Sequence, residues 1–169
     1  MTLNLVLSAF SVICFLLAML AVFILFFINK EQIFSTRLLA LVLFFLGVQS
    51  CIIFLLYTGL MIKIPHIYRV FGPTTLLILP LSYIYVRSVL KGQNFFRRKD
   101  WMLLIPSVLY AINLLPVYSL PYEDKLTLVA HYIANPKIQG GYSDGFLPPY
   151  VLSFIRTIWS AYFLFLHLD

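Results

Sequence analysis

The chain has 169 residues, 62% of them hydrophobic and only 11% charged, with a mean hydropathy of +0.97. A soluble domain is roughly 45–50% apolar and about 25% charged, so composition excludes an ordinary water-soluble globule and indicates an α-helical membrane protein. The formal net charge of +6 sits beside apolar segments, which favours anionic lipid over nucleic acid as the partner of those cations.

Residues 3–28 carry no charged side chain. At 1.5 Å per residue they exceed the ~30 Å of hydrocarbon, so they are expected to form a first span with some tilt. A cleaved signal peptide would need a basic start and a shorter apolar core. MTLNLVLSAF has no Lys or Arg, so a retained span is expected. After a short polar link, residues 38–62 form the expected second span. Gln49 inside it needs a hydrogen-bond partner, to be found on a neighbouring helix. His66 in the next link reads as a solvent-facing loop residue rather than a ligand. Cys14 and Cys51 both lie in apolar runs, so no disulfide framework is indicated.

Residues 70–90 are the expected third span, with Pro73 and Pro80 seven positions apart and nearly on one face. Each removes a backbone hydrogen bond and tends to kink a helix. The pair therefore reads as a bend or as a signal-responsive hinge. Tyr83 and Tyr85 suit the headgroup level, and Arg87 is expected to snorkel to water. A basic loop follows with Lys91, Arg97, Arg98 and Lys99 beside Phe95 and Phe96. Cations next to aromatics suit a segment lying on a membrane surface.

Residues 102–118 are the expected fourth span, short, with Pro106 in its first turns and Asn113 as its polar interior residue. Ser107 and Ala111 have the spacing of a close helix contact. In the long link that follows, Leu126, Val129, Ala130 and Ile133 recur at i, i+3, i+4 and i+7. That spacing predicts an external amphipathic helix over 122–134. Residues 135–148 read as turns. Residues 150–168 are the fifth span, with Arg156 about two turns inside. An intramembrane arginine is a functional candidate unless it snorkels to the interface.

Cation counts orient the bundle. Lys30, Arg37, Arg87, Lys91, Arg97, Arg98 and Lys99 fall on one side; Lys63, Arg69, Lys125 and Lys137 fall on the other. The denser side is expected in the cytoplasm, which puts the N-terminus outside. The fold class is thus an all-α polytopic bundle of about five spans.

No metalloprotease, nucleophile-elbow, P-loop or C-x-x-C motif is present. No catalytic, cofactor or metal residue is indicated, and the chain reads as a non-enzyme. His66, His131 and the carboxylates Glu123, Asp124 and Asp144 lie in external links without ligand spacing. The remaining candidates are Pro73, Pro80, Gln49, Asn113 and Arg156, as hinge or signal residues.

The block LPLSYIYVRSVL, the basic loop, and then KDWMLLIP resembles the N-terminal membrane region of bacterial membrane-bound AraC/XylS-type transcriptional regulators. Pro80, Leu81, Tyr83, Tyr85, Val86, Asp100, Ile105 and Pro106 carry the likeness. Leu79 stands where that family often has glycine, and Leu103 where it often has histidine. The resemblance implies an inner-membrane anchor and signal-input domain. DNA would be bound only by a cytoplasmic helix-turn-helix region absent from these residues, so the chain reads as truncated after Asp169. The signal ligand is unidentified, and a homodimer is compatible with this plan. Two alternatives stay open. One is the sensor region of another receptor, such as a histidine kinase. The other is a small transporter or intramembrane enzyme, which requires Arg156, Gln49 and Asn113 to line one polar cavity.

Overall fold

A computed structural model describes residues 2–29, 33–93, 95–134 and 145–168. The cations Lys30 and Lys137, the carboxylates Glu31 and Asp144, and most of the expected turn segment lie outside the described residues. Among the described residues the architecture is all-helical, with seven α-helices and no strand.

Helix α1 spans Thr2–Phe23 and runs on through a π-helical turn, Ile24–Ile28, closed by the Asn29 N–H on the Ile24 carbonyl at 3.1 Å. Helix α2 spans Ile33–Tyr57. These two, Leu5–Ile28 and Ile33–Tyr57, are long and apolar enough to cross a membrane. They are the two helices among the described residues that meet that condition, rather than about five. Large apolar side chains of α1 such as Leu5, Phe10, Leu16, Leu20 and Phe27 stay exposed. The core helix of a soluble protein would bury such residues. The hairpin closes tightly at Gly47 of α2. A Cβ added there would come within 2.7 Å of Met19 Cε and 3.0 Å of Ala18 Cβ.

Two boundaries differ from the sequence expectation for a backbone reason. Helix α2 stops at Tyr57 instead of 62 because Gly59 takes a left-handed conformation (φ 72°), the usual device for ending a helix. Helix α3 spans Thr74–Lys91, not 70–90. The segment before it is a chain of 3-10 turns, Leu60–Lys63 and Pro65–Ile67, with Arg69 at φ 64°. Pro73 is consequently the residue that enters α3, not an interior kink; its φ of −61° already suits a helix start. Pro80 does lie inside α3, buried.

The expected fourth span is broken. A 3-10 turn over Arg98–Leu104 leads into α4 (Ile105–Asn113), and α5 (Leu115–Tyr118) follows after Leu114. Pro116 has no N–H to continue the ladder, which separates α4 from α5. Helix α6 spans Tyr122–Ala134 and α7 spans Pro149–Leu168.

Helix α2 packs along both α1 and α3, and α7 packs against α3. Leu38 and Val42 of α2 meet Leu81 and Ile84 of α3 in one buried cluster. A second joins Met61 and Tyr68 of the turn segment to Val117 of α5 and Val129 of α6. A third joins Leu76 of α3 to Tyr110 and Leu114, with Leu152 and Trp159 of α7 against it. Helix α6 docks on a face that keeps Val129 and Ile133 of the expected stripe but shifts toward Lys125. Lys125 and Val129 are buried, with Leu128, Tyr132 and Ile133 packed in, while Ala130 is exposed. The Lys125 stem fits this face because its ammonium donates to the Tyr118 carbonyl at 2.9 Å.

Candidate functional site

The basic loop is anchored by an ion pair between the two helical segments it joins. Asp100 lies three residues after Arg97, in the first turn of the 3-10 segment. Its Oδ2 accepts the Arg97 N–H at 2.7 Å, which caps that turn. The same carboxylate receives Arg87 from the last turns of α3. Nη1 reaches Oδ1 at 2.7 Å and Nη2 reaches Oδ2 at 2.6 Å. This is the two-pronged geometry in which guanidinium and carboxylate match best. Both side chains are buried, at 8% and 3% exposure. Arg87 therefore does not snorkel to water. Its guanidinium also lies 5.7 Å from the Tyr83 ring centroid.

The other loop cations, Lys91, Arg97, Arg98 and Lys99, are exposed. Phe95, Trp101 and Met102 are exposed beside them, at 62%, 65% and 65%. Phe96 instead turns inward against Phe34, ring centroids 6.1 Å apart. The loop thus presents four charges and three large apolar side chains on the outside of one short segment.

Gln49 of α2 donates to the Phe71 carbonyl at 2.9 Å and to Thr74 Oγ1 at 3.0 Å. It ties α2 to the entry of α3. Ser107 of α4 donates to the Pro73 carbonyl at 2.7 Å, so the same entry is held from a second side. Pro80 packs in the middle of α3 between these ties and the Arg87–Asp100 pair.

Arg156 and Asn113 come together. A cavity of about 410 Å³ between α3, α4 and α7 is lined by both, with Tyr110 and apolar side chains. Arg156 donates to the Tyr110 hydroxyl, and its guanidinium carbon sits 4.7 Å from the Tyr110 ring centroid. Asn113 is buried. Its Oδ1 accepts the Leu147 N–H at 2.8 Å, and its carbonyl accepts the Phe146 N–H at 3.3 Å. Gly145 approaches Asn113 so closely that a Cβ there would collide with it. Gln49 does not line this cavity, so the three residues that the transporter or enzyme alternative requires in one place are not in one place.

His66 is exposed, and its Nδ1 lies 3.4 Å from Lys125 Nζ. A cation at that distance makes His66 a poor metal ligand. Among the described residues no three His, Cys, Asp or Glu side chains gather as a metal site would require. Sequence reasoning placed Asp100 in a recognisable block but gave it no partner. The signal was present: one carboxylate and one arginine inside otherwise apolar or basic surroundings.

Comparison of the chain with protein-family models, with curated proteins and with solved structures finds no match.

Proposed function

We propose that this chain is the membrane-anchoring and signal-input domain of a bacterial AraC-type transcription regulator, set in the inner membrane with its N-terminus outside. In this reading α1, α2, α3, the run from Met102 through α5, and α7 make five crossings. The fourth is the thinnest: α4 and α5 together rise only about 21 Å, and the 3-10 turn before them supplies the rest.

The observation that carries the reading is the Arg87–Asp100 ion pair. It joins the two halves of the block that resembles those regulators, Pro80, Tyr83 and Tyr85 on α3 and Asp100 and Pro106 beyond the loop. It also makes the exposed basic segment a firm extension of α3. A rearrangement of α3 would then move that segment, which is what a signal-input domain needs. Arg97, Arg98, Lys99 and Lys91 would lie on anionic headgroups, each worth about 1 kcal/mol near such a surface. Binding of DNA would belong to a helix-turn-helix region outside these 169 residues, and homodimers would bring two such regions together.

A tag at the chromosomal N-terminus and a blot of the membrane fraction test the regulator reading. A membrane band well above the 19.5 kDa of these residues, whose extension encodes a helix-turn-helix region, is expected. A band at 19.5 kDa, or an extension of another kind such as a kinase, would contradict it.

A further inference from the structure

We propose that the cavity between α3, α4 and α7 binds a single-chain amphiphile with an anionic carboxylate head, a long-chain fatty acid, with Arg156 taking the head. The site rests on the proposed placement of α4 and α7 in the bilayer, and not on whether the domain reports to a DNA-binding region.

The first reason is an uncompensated charge. Arg156 is half-buried, and it donates to the Tyr110 hydroxyl. Its Nε is buried without a partner, and no carboxylate pairs with it among the described residues. A desolvated guanidinium without an anion is costly. The Tyr110 ring and hydroxyl hold it in place but do not neutralise it. Asn113 stands on the same wall, with its Nδ2 buried against Gly145 rather than open to the cavity.

The second reason is the rest of the lining. Leu76, Pro106, Leu147 and Leu152 give an apolar wall, and no acidic side chain is among the described residues that line it. One charged side chain in an otherwise largely apolar lining is the complement of an amphiphile, not of a polar metabolite. A volume of about 410 Å³ is near the low end of the roughly 300–1,000 Å³ usual for small-molecule sites. It suits one acyl chain better than the two of a phospholipid.

The third reason is the approach. Leu109, Ile112 and Ile155 at the rim are exposed by 59%, 49% and 40%, and Phe146 by 70%. The mouth therefore opens through apolar side chains. A ligand already dissolved in the hydrocarbon can enter there without crossing water, whereas a water-soluble anion cannot.

The test uses the full chain in phosphatidylcholine nanodiscs and a long-chain fatty acid carrying a diazirine on its tail. Photolysis and peptide mapping locate the adduct. Labelling is expected on the α4 and α7 peptides. Unlabelled fatty acid should compete about ten-fold better than the alcohol of the same chain length, because only the carboxylate pairs with Arg156. Arg156→Gln should cut the labelling by a similar factor. If Arg156→Gln fails to fold, the acid-against-alcohol comparison on the unsubstituted protein still decides. Equal competition by the alcohol would overturn the proposal, leaving a crevice filled by bulk lipid. So would labelling spread along α1 and α2. Labelling of α4 and α7 by a diazirine phosphatidylglycerol but not by the fatty acid would overturn it in favour of a phospholipid.

Discussion

Arg87 and Asp100, thirteen residues apart, close the basic loop with two parallel hydrogen bonds of 2.7 and 2.6 Å between buried side chains. The pair fixes where α3 ends relative to the start of the next helical run. Removing one partner should hurt more than removing both. Asp100→Asn strands a buried guanidinium and is expected to destabilise the domain by about 3–5 kcal/mol, whereas Arg87→Leu with Asp100→Leu should cost less. Thermal unfolding of the three proteins in one detergent checks this. A double variant no milder than Asp100→Asn would count against the pair as the fastening.

The same pair predicts a pH dependence. Burial by itself pushes the Asp100 carboxyl up. The hydrogen bonds from Arg87 and the Arg97 N–H, with the charges of both arginines, outweigh burial and hold it below the ordinary carboxylate range. The folded value is therefore lower than the ~3.9 of an unfolded aspartate. The contribution is fully present above that unfolded value and is lost as pH falls through the folded one. The stability gap between wild type and Asp100→Asn should stay flat from roughly pH 8 to pH 5 and narrow below about pH 4. A gap that stays open in acid would mean that the carboxylate charge is not what matters.

Gln49 is a polar tie at the other end of α3. Its amide satisfies the Phe71 carbonyl and Thr74 Oγ1 together. Gln49→Leu is expected to lower stability by about 1–2 kcal/mol, two modest interhelical hydrogen bonds. Gln49→Glu should be worse, because a carboxylate cannot donate to the Phe71 carbonyl. Unfolding midpoints rank the three, and a Glu variant as stable as wild type would refute the assigned direction of donation.

Pro80 is the one proline of the expected hinge pair that lies inside a helix. Without its N–H, the Leu76 carbonyl four residues back loses its usual helical partner. If α3 flexes at this point when a signal arrives, Pro80→Ala should stiffen it. The regulator's transcriptional output, measured with a promoter fusion, should then respond less to its signal while protein levels hold. An unchanged response with and without the signal would show that Pro80 only shapes the helix.

Much of the architecture was legible, and the failures have physical causes. Long charge-free runs marked most of α1 and α2, the two helices long and apolar enough to cross a membrane. Helix α6 was readable from its period, yet its buried face was set by Lys125, whose stem packs inward while its ammonium finds the Tyr118 carbonyl. Apolar periodicity cannot see a lysine used that way. The helix ends at Tyr57 and Lys91 could have been found from Gly59 and Gly92, both left-handed. Pro116 likewise announced the break after α4. The Arg87–Asp100 pair was harder, since its two members meet only once the loop folds back on α3. The meeting of Arg156 with Asn113 depends on how α7 docks, which no local pattern encodes.

The side of the membrane on which the basic loop lies can be read by cysteine labelling. With Cys14 and Cys51 replaced by serine, single cysteines are placed at Gln93 in the loop and at Glu123 at the start of α6. Intact spheroplasts are then treated with a membrane-impermeant maleimide. Labelling is expected at position 123 without permeabilisation, and at position 93 only after it. Labelling of both positions in intact cells, or of position 93 alone, would contradict a membrane domain with its basic loop in the cytoplasm.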